Sequence, residues 1–184
     1  PVNLDDYPNV TATFGSNLNL KNLENYANQT KPTYITKDNT GGNTISDKVA
    51  TLGRVLFYDK KLSKNNTISC SSCHKQELAF GDNAIASTGV NGTTGRHSMR
   101  LVNSRFANEV KFFWDERAAT LEVQTTMPIQ DHKEMGFSGS NGDENFAALL
   151  TKIQNIGYYK ELFKFAFGDE TVTQNRMQNA LAQF

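Results

Sequence analysis

The apolar residues of this chain fall into helical stripes separated by long polar connections. Val49, Leu52, Val55 and Leu56 lie at i, i+3, i+6 and i+7 and predict a helix over 46–58, with Ser46 or Asp47 as cap. Gly53 in mid-helix costs about 1 kcal/mol against alanine, which points to close packing on a flat partner. Phe146, Leu149, Leu150 and Ile153 predict a helix over 143–156, capped by Asp143 and stopped by Gly157. Tyr158 to Phe167 reads as a short aromatic-rich helix. A last helix starts at Thr173, with Val172 and Met177 as a hydrophobic staple and Met177, Ala180, Leu181 and Phe184 as its apolar face. A shorter helix is expected over Ala118 to Thr126.

Between these stripes the chain is polar. Residues 1–45 are rich in Asn and Thr, with Leu18, Leu20 and Leu23 as one weak stripe, a short helix at most, before Gly41-Gly42-Asn43 breaks the chain. This stretch reads either as an extended arm over the domain or as a flexible N-terminus. Residues 78–110 are mostly loop, punctuated by Gly81, Gly89, Gly92 and Gly95; so long a loop in a compact domain is usually functional. Alternating β runs, internal repeats and heptads do not stand out. The expected fold is mainly α with long loops, divided into an N-terminal extension, 1–45, and a helical domain, 46–184.

Charge narrows the partners. Nineteen basic and nineteen acidic residues balance in a chain of 184, so no long-range field favours nucleic acid or an anionic membrane. No apolar run approaches the roughly 20 residues of a membrane span. The chain opens at Pro1 without a visible signal peptide and reads as a mature or trimmed product. It ends on an apolar residue in mid-pattern, from which a continuation is expected.

The chemistry concentrates at Cys70-Ser71-Ser72-Cys73-His74, which holds both cysteines of the chain and one of its three histidines. This is the spacing of c-type haem attachment. Two thiols at i and i+3 share one helical face and can bond two vinyl groups of one porphyrin. The following imidazole then reaches the iron. A zinc site would want a second Cys/His pair, and a redox dithiol a βαβ context; neither is evident. Such haem is attached outside the bacterial cytoplasm, so the expected location is periplasmic or extracellular. Gly53 could equally face a helix or a haem edge. Trp114, the single tryptophan, reads from composition as a core residue rather than as an aromatic bridge for electrons.

Several stretches together resemble a known family. Leu52-Gly53-Arg54-Val55-Leu56-Phe57-Tyr58-Asp59, Leu62-Ser63, Ser69 to His74, Phe113-Trp114-Asp115, Arg117-Ala118-Ala119, Gln124, Pro128-Ile129 and Glu134-Met135-Gly136 are similar to the N-terminal haem domain of bacterial di-haem cytochrome c peroxidases. The related enzyme that oxidises tryptophans in methylamine dehydrogenase shares the pattern. The likeness runs from about residue 46 to 184. It implies a cytochrome c-like helical domain carrying one covalent haem c, with Cys70 and Cys73 as attachment sites and His74 as proximal iron ligand. It makes Glu134 the distal acid/base on peroxide and Gln124 its hydrogen-bonding partner. It sets Trp114 between this haem and a second one, against the core reading. The implied partners are hydrogen peroxide, a C-terminal second-haem domain absent from this chain, and a small electron donor such as a cytochrome c or cupredoxin.

Three departures modify the implication. Many members carry a histidine after the Ser-x-Gly turn that blocks the resting distal site; here Ser87-Thr88-Gly89 is followed by Val90. The family's Arg-Asn-Ala-Pro stretch, whose Asn ligates calcium, reads Arg96-His97-Ser98-Met99, and His97 is a poor hard-oxygen substitute, which argues against calcium. His97 is also a candidate distal ligand by a loop swing, beside the plainer reading as a satisfied loop histidine. His132 reads as a surface residue. Asp115-Glu116-Arg117 replaces Asp-Gly-Arg, a loop adjustment. Two other functions stay open: a mono-haem electron carrier with Met127 or Met135 as sixth ligand, and a di-haem oxidase of a protein side chain.

Overall fold

The computed structural model describes residues 2–108 and 111–184. Pro1, on which the reading of a trimmed chain rests, and positions 109–110 of the expected 78–110 loop lie outside the described residues. Among the described residues seven α-helices follow in order: α1 Pro8–Phe14, α2 Asp47–Tyr58, α3 Cys70–Cys73, α4 Leu121–Thr126, α5 Phe146–Gln154, α6 Gly157–Phe167 and α7 Gln174–Gln183. One small hairpin, β1 Thr88–Gly89 with β2 Gly92–Thr93, pairs antiparallel. The fold is mainly α, as expected.

The core forms where α2 crosses α7 and α6. Leu52 and Leu56 of α2, Leu162 and Phe163 of α6, and Met177 and Ala180 of α7 are fully buried there. Gly53 explains the closeness of the first crossing. A Cβ at that position would overlap the carbonyl of Ala180, so the flat partner is helix α7. Thr173 caps α7 by accepting the Arg176 N–H, and Val172 and Met177 are both buried in the core. Gly168, at φ +90°, ends α6 in the left-handed conformation.

Three helix ends differ from the expectation, and at the start of α2 Ser46 takes the N-cap position that the sequence offered. Asn145, not Asp143, caps α5 by accepting the Ala148 N–H, and Asp143 is spent on Lys64, His132 and Ser138. Gly157 does not stop α5; it opens α6 against the side chain of Asn9, where a Cβ would collide. Thr120 accepts the Val123 N–H, so α4 starts at Leu121 rather than Ala118. Ser46 stands at the N-cap of α2 without a side-chain bond, and Asp47 instead accepts the N–H groups of Tyr26 and Ala27, both at 2.8 Å.

The weak Leu18–Leu23 stripe is not a helix. Asn19 accepts the Lys21 N–H in a local turn, which competes with helical bonding, while Leu20 is buried and Leu18 and Leu23 pack partly buried against the core. The N-terminal helix lies earlier, opened by Pro8 at its first position. It is held from α6 by Glu161, whose carboxylate accepts the N–H groups of Asn9 at 3.0 Å and Val10 at 2.8 Å. Further along, Asp38 takes Arg105 in a two-oxygen ion pair, Nη2 to Oδ2 at 2.7 Å, and Asn39 donates to the Arg105 carbonyl.

Candidate functional site

Cys70 and Cys73 occupy the ends of one helical turn, α3. Ser69 precedes it, donating its N–H to the Ser72 Oγ at 3.0 Å, with the two hydroxyls 3.2 Å apart: a reciprocal cap on a helix too short to stand alone. His74 closes the turn with its N–H on the Cys70 carbonyl at 2.9 Å. The chain then doubles back. Lys75 and Gly81 bridge antiparallel through left-handed Ala79 and Phe80, both at φ +56°. That reversal puts the Phe80 carbonyl 3.0 Å from His74 Nδ1, which therefore donates, and Nε2 is left with its lone pair. Burial pushes the His74 imidazole below its ordinary range, against the opposing backbone groups of Phe80 and Met99. The neutral, oriented ring is the form that binds metal.

These residues line a cavity of about 1340 Å³. It exceeds the roughly 300–1,000 Å³ of ordinary small-molecule sites. Apolar walls come from Phe57, Ile68, Phe80, Met99, Met135 and Phe184. Two thiols on one turn, an imidazole oriented through its Nδ1 and a large apolar cavity fit a covalently held haem.

Glu134, Gln124, Trp114 and His97 line the same cavity. Glu134 is half-buried. Desolvation, then the charge of Asp131, pushes its carboxyl up to about 7, with Arg117 pulling the other way. Its backbone is clamped by the small hairpin: Val90 donates to the Glu134 carbonyl at 3.0 Å and Asn91 to that of Lys133 at 3.2 Å. Gly89 permits this approach, since a Cβ there would overlap the Lys133 carbonyl. Gln124 projects from α4, and its side-chain amide makes no hydrogen bond among the described residues. Arg117 lies 3.6 Å from the centre of the Phe113 ring and pairs with Asp115, which also holds Arg96.

Trp114 is not a core residue. It is 60% exposed at the cavity rim, and its Nε1 donates to the His97 carbonyl at 2.9 Å. An apolar side chain alone predicts burial; here the chain carries Trp114 directly after the left-handed Phe113, at φ +71°, and leaves it exposed. His97 Nδ1 is engaged by the Ala84 carbonyl at 2.8 Å. His132 is a partly exposed residue of the turn, as expected, and its Nδ1 meets the fully buried Asp143 carboxylate at 2.7 Å. Among the described residues, Val90, His132 and Met127 do not line the cavity, whereas Met135 does. Glu116 keeps the left-handed backbone, φ +56°, that a glycine would suit. Sequence reasoning missed Asp131 and Arg117 as the charges facing Glu134. Their proximity in sequence to Glu134 and Trp114 was the available signal.

Comparison with known proteins accords with this geometry. The profile of the family described as di-haem cytochrome c peroxidase matches residues 47–184. Methylamine utilization protein MauG of Methylophilus methylotrophus is 33% identical over 77% of this chain and 40% of its own length. Cytochrome c551 peroxidase of Nitrosomonas europaea is 35% identical over 74% of this chain and 38% of its own. The crystal structure of a MauG-like protein associated with microbial copper homeostasis superposes with a TM-score of 0.73 at 32% identity, over 85% of this chain and 45% of that one. The chain thus spans about two fifths of the length of these curated relatives. With a c-type haem motif in a cavity that fits the group, and the family profile across its helical domain, this chain belongs to the di-haem cytochrome c peroxidase family, a family of oxidoreductases.

Proposed function

We propose that this chain is the peroxide-handling haem domain of a longer di-haem enzyme, reducing hydrogen peroxide to water with electrons relayed from a second haem domain. The observation that carries it is the presence in one cavity of His74, its Nδ1 fixed on the Phe80 carbonyl, and Glu134, whose carboxyl burial pushes up to about 7. Cys70 and Cys73 would hold the haem covalently and His74 would ligate its iron. When bound, that haem supplies the electrons that break the oxygen–oxygen bond. Glu134 accepts a proton from the inner peroxide oxygen and returns it to the outer one, so that the leaving group departs as water. Gln124 orients the peroxide through its amide. Two electrons and two protons per peroxide close the balance, the electrons coming from a small donor protein, a cytochrome c or cupredoxin, through the second haem.

Exposed Trp114 is read as the contact toward that second domain. Periplasmic location follows from where c-type haem is attached. Among the described residues no helix is long and apolar enough to cross a membrane. The similarity to MauG favours one alternative, oxidation of a protein side chain, for which the same Glu134 and Gln124 would serve.

The test uses the full-length haem-loaded protein. Rapid mixing with peroxide should consume two electrons per peroxide from a reduced donor, and the ferric spectrum should be high-spin. A methionine–iron charge-transfer band with no peroxide reaction would instead make it an electron carrier, with Met135 as ligand. Peroxide-dependent oxidation of a partner protein with no donor turnover would favour the side-chain oxidase.

A further inference from the structure

We propose that Asp131 is the positioning residue of the distal carboxyl: its carboxylate builds the turn that carries Glu134 and supplies the negative charge that Glu134 faces. This rests on the reading of Glu134 as the proton carrier. The turn is organised on Asp131 from both of its polar ends. Its Oδ1 accepts the N–H groups of Lys133 at 2.8 Å and Glu134 at 3.0 Å. Its backbone carbonyl accepts those of Gly136 at 2.9 Å and Met135 at 3.3 Å. From the opposite side the hairpin holds the carbonyls of Lys133 and Glu134. The Glu134 backbone is therefore fixed on both edges, by Asp131 at its N–H and by Val90 at its carbonyl. The side chain is left to enter the cavity, which Asp131 also lines.

The charges around Glu134 are few. From its own turn it faces Asp131, from the segment after Trp114 it faces Arg117, and from α3 the sulfur of Cys73. His132 and Lys133 of the same turn are spent elsewhere or exposed, and the hairpin presents the uncharged Gly89, Val90 and Asn91. Arg117 is partly neutralised by Asp115 and stacked on Phe113. A second negative charge beside Asp131 is disfavoured, so Glu134 retains its proton to higher pH than an isolated carboxyl. The two roles of Asp131 are separable. Asparagine keeps the acceptor oxygen of the turn but not the charge, while alanine removes both.

The experiment compares full-length haem-loaded Asp131→Asn, Asp131→Ala and Glu134→Gln with the natural protein. One readout is the pH dependence of cyanide association with the ferric haem. The other is infrared titration of the Glu134 carboxyl, identified as the band missing from Glu134→Gln. Asp131→Asn should keep the association rate at its plateau and move both midpoints down by roughly half a unit to one unit. Asp131→Ala should show the same shift and lose roughly tenfold in rate, as the turn loosens. An Asp131→Asn variant whose carboxyl midpoint stays in place overturns the electrostatic role. An Asp131→Ala variant as fast as Asp131→Asn overturns the positioning role. If Glu134→Gln keeps the natural cyanide profile, the proton-carrier reading fails, and the infrared midpoint still decides what Asp131 does to its neighbour.

Discussion

The backbone N–H of Val90 donates to the carbonyl of Glu134 at 3.0 Å. Val90 stands where the family resemblance implies a gating histidine in many members, and its side chain packs on Gly136 instead of lining the cavity. The other two histidines beyond the haem motif are held by the Ala84 carbonyl and by Asp143. The resting iron is therefore expected to be five-coordinate or water-bound and to bind cyanide without prior reduction. Electron paramagnetic resonance of the oxidised full-length protein should show a high-spin signal, unchanged in His97→Ala. A low-spin bis-histidine signal that vanishes in His97→Ala would identify His97 as the gate.

His74→Gly should keep covalent attachment, read as the haem mass increment, because both thiols remain. It should lose peroxide turnover and alter the haem spectrum, because the imidazole that would ligate the iron is gone. Turnover at the natural rate in this variant would remove the ligand assignment.

Glu134→Gln keeps shape and removes proton exchange. Turnover should fall by roughly 10²–10⁴-fold with haem and fold retained. The sign of the pH dependence follows from the raised carboxyl. The first step needs the ionised form to accept a proton, so reaction with peroxide should rise as pH passes through about 7 and flatten above it. Stopped-flow rates across that window check it; a loss below tenfold would move the acid/base role to another group.

Glu116→Gly should stabilise the protein. A left-handed backbone at φ +56° costs a side-chain-bearing residue roughly 1–2 kcal/mol. Glycine returns part of that gain as unfolded-state entropy, leaving about 0.5–1 kcal/mol. For a domain of this size that is roughly 2 °C in melting temperature. A lower melting temperature would mean that the Glu116 side chain makes a compensating contact.

Gly53→Ala tests the helix crossing. Alanine favours an isolated helix by about 1 kcal/mol. Here its methyl would press on the Ala180 carbonyl of α7, and that atom belongs to backbone. The expected loss lies at the upper end of the ~1–3 kcal/mol of overpacking, measurable by denaturant unfolding. Unchanged stability would show that α2 and α7 can separate freely.

What the sequence determined by itself is what depends on near neighbours along the chain. The haem motif is legible because two thiols and an imidazole on one turn are related by the geometry of a single turn. Helices α2, α6 and α7 are legible because their apolar faces repeat with the helical period. The tertiary structure decided whatever depends on a partner distant in sequence. Asp143 and Asn145 both look like caps, and only the meeting of Lys64, His132 and Ser138 draws Asp143 away. Helix α1 has one buried residue, Val10, and no periodic signal; it stands because Glu161, on α6, satisfies its first N–H groups. Trp114 is apolar by composition and exposed by the turn that carries it. The proton affinity of Glu134 belongs to no motif. It arises from burial and from the charge of Asp131 against that of Arg117, quantities that exist only once the hairpin, the turn and the segment after Trp114 have met.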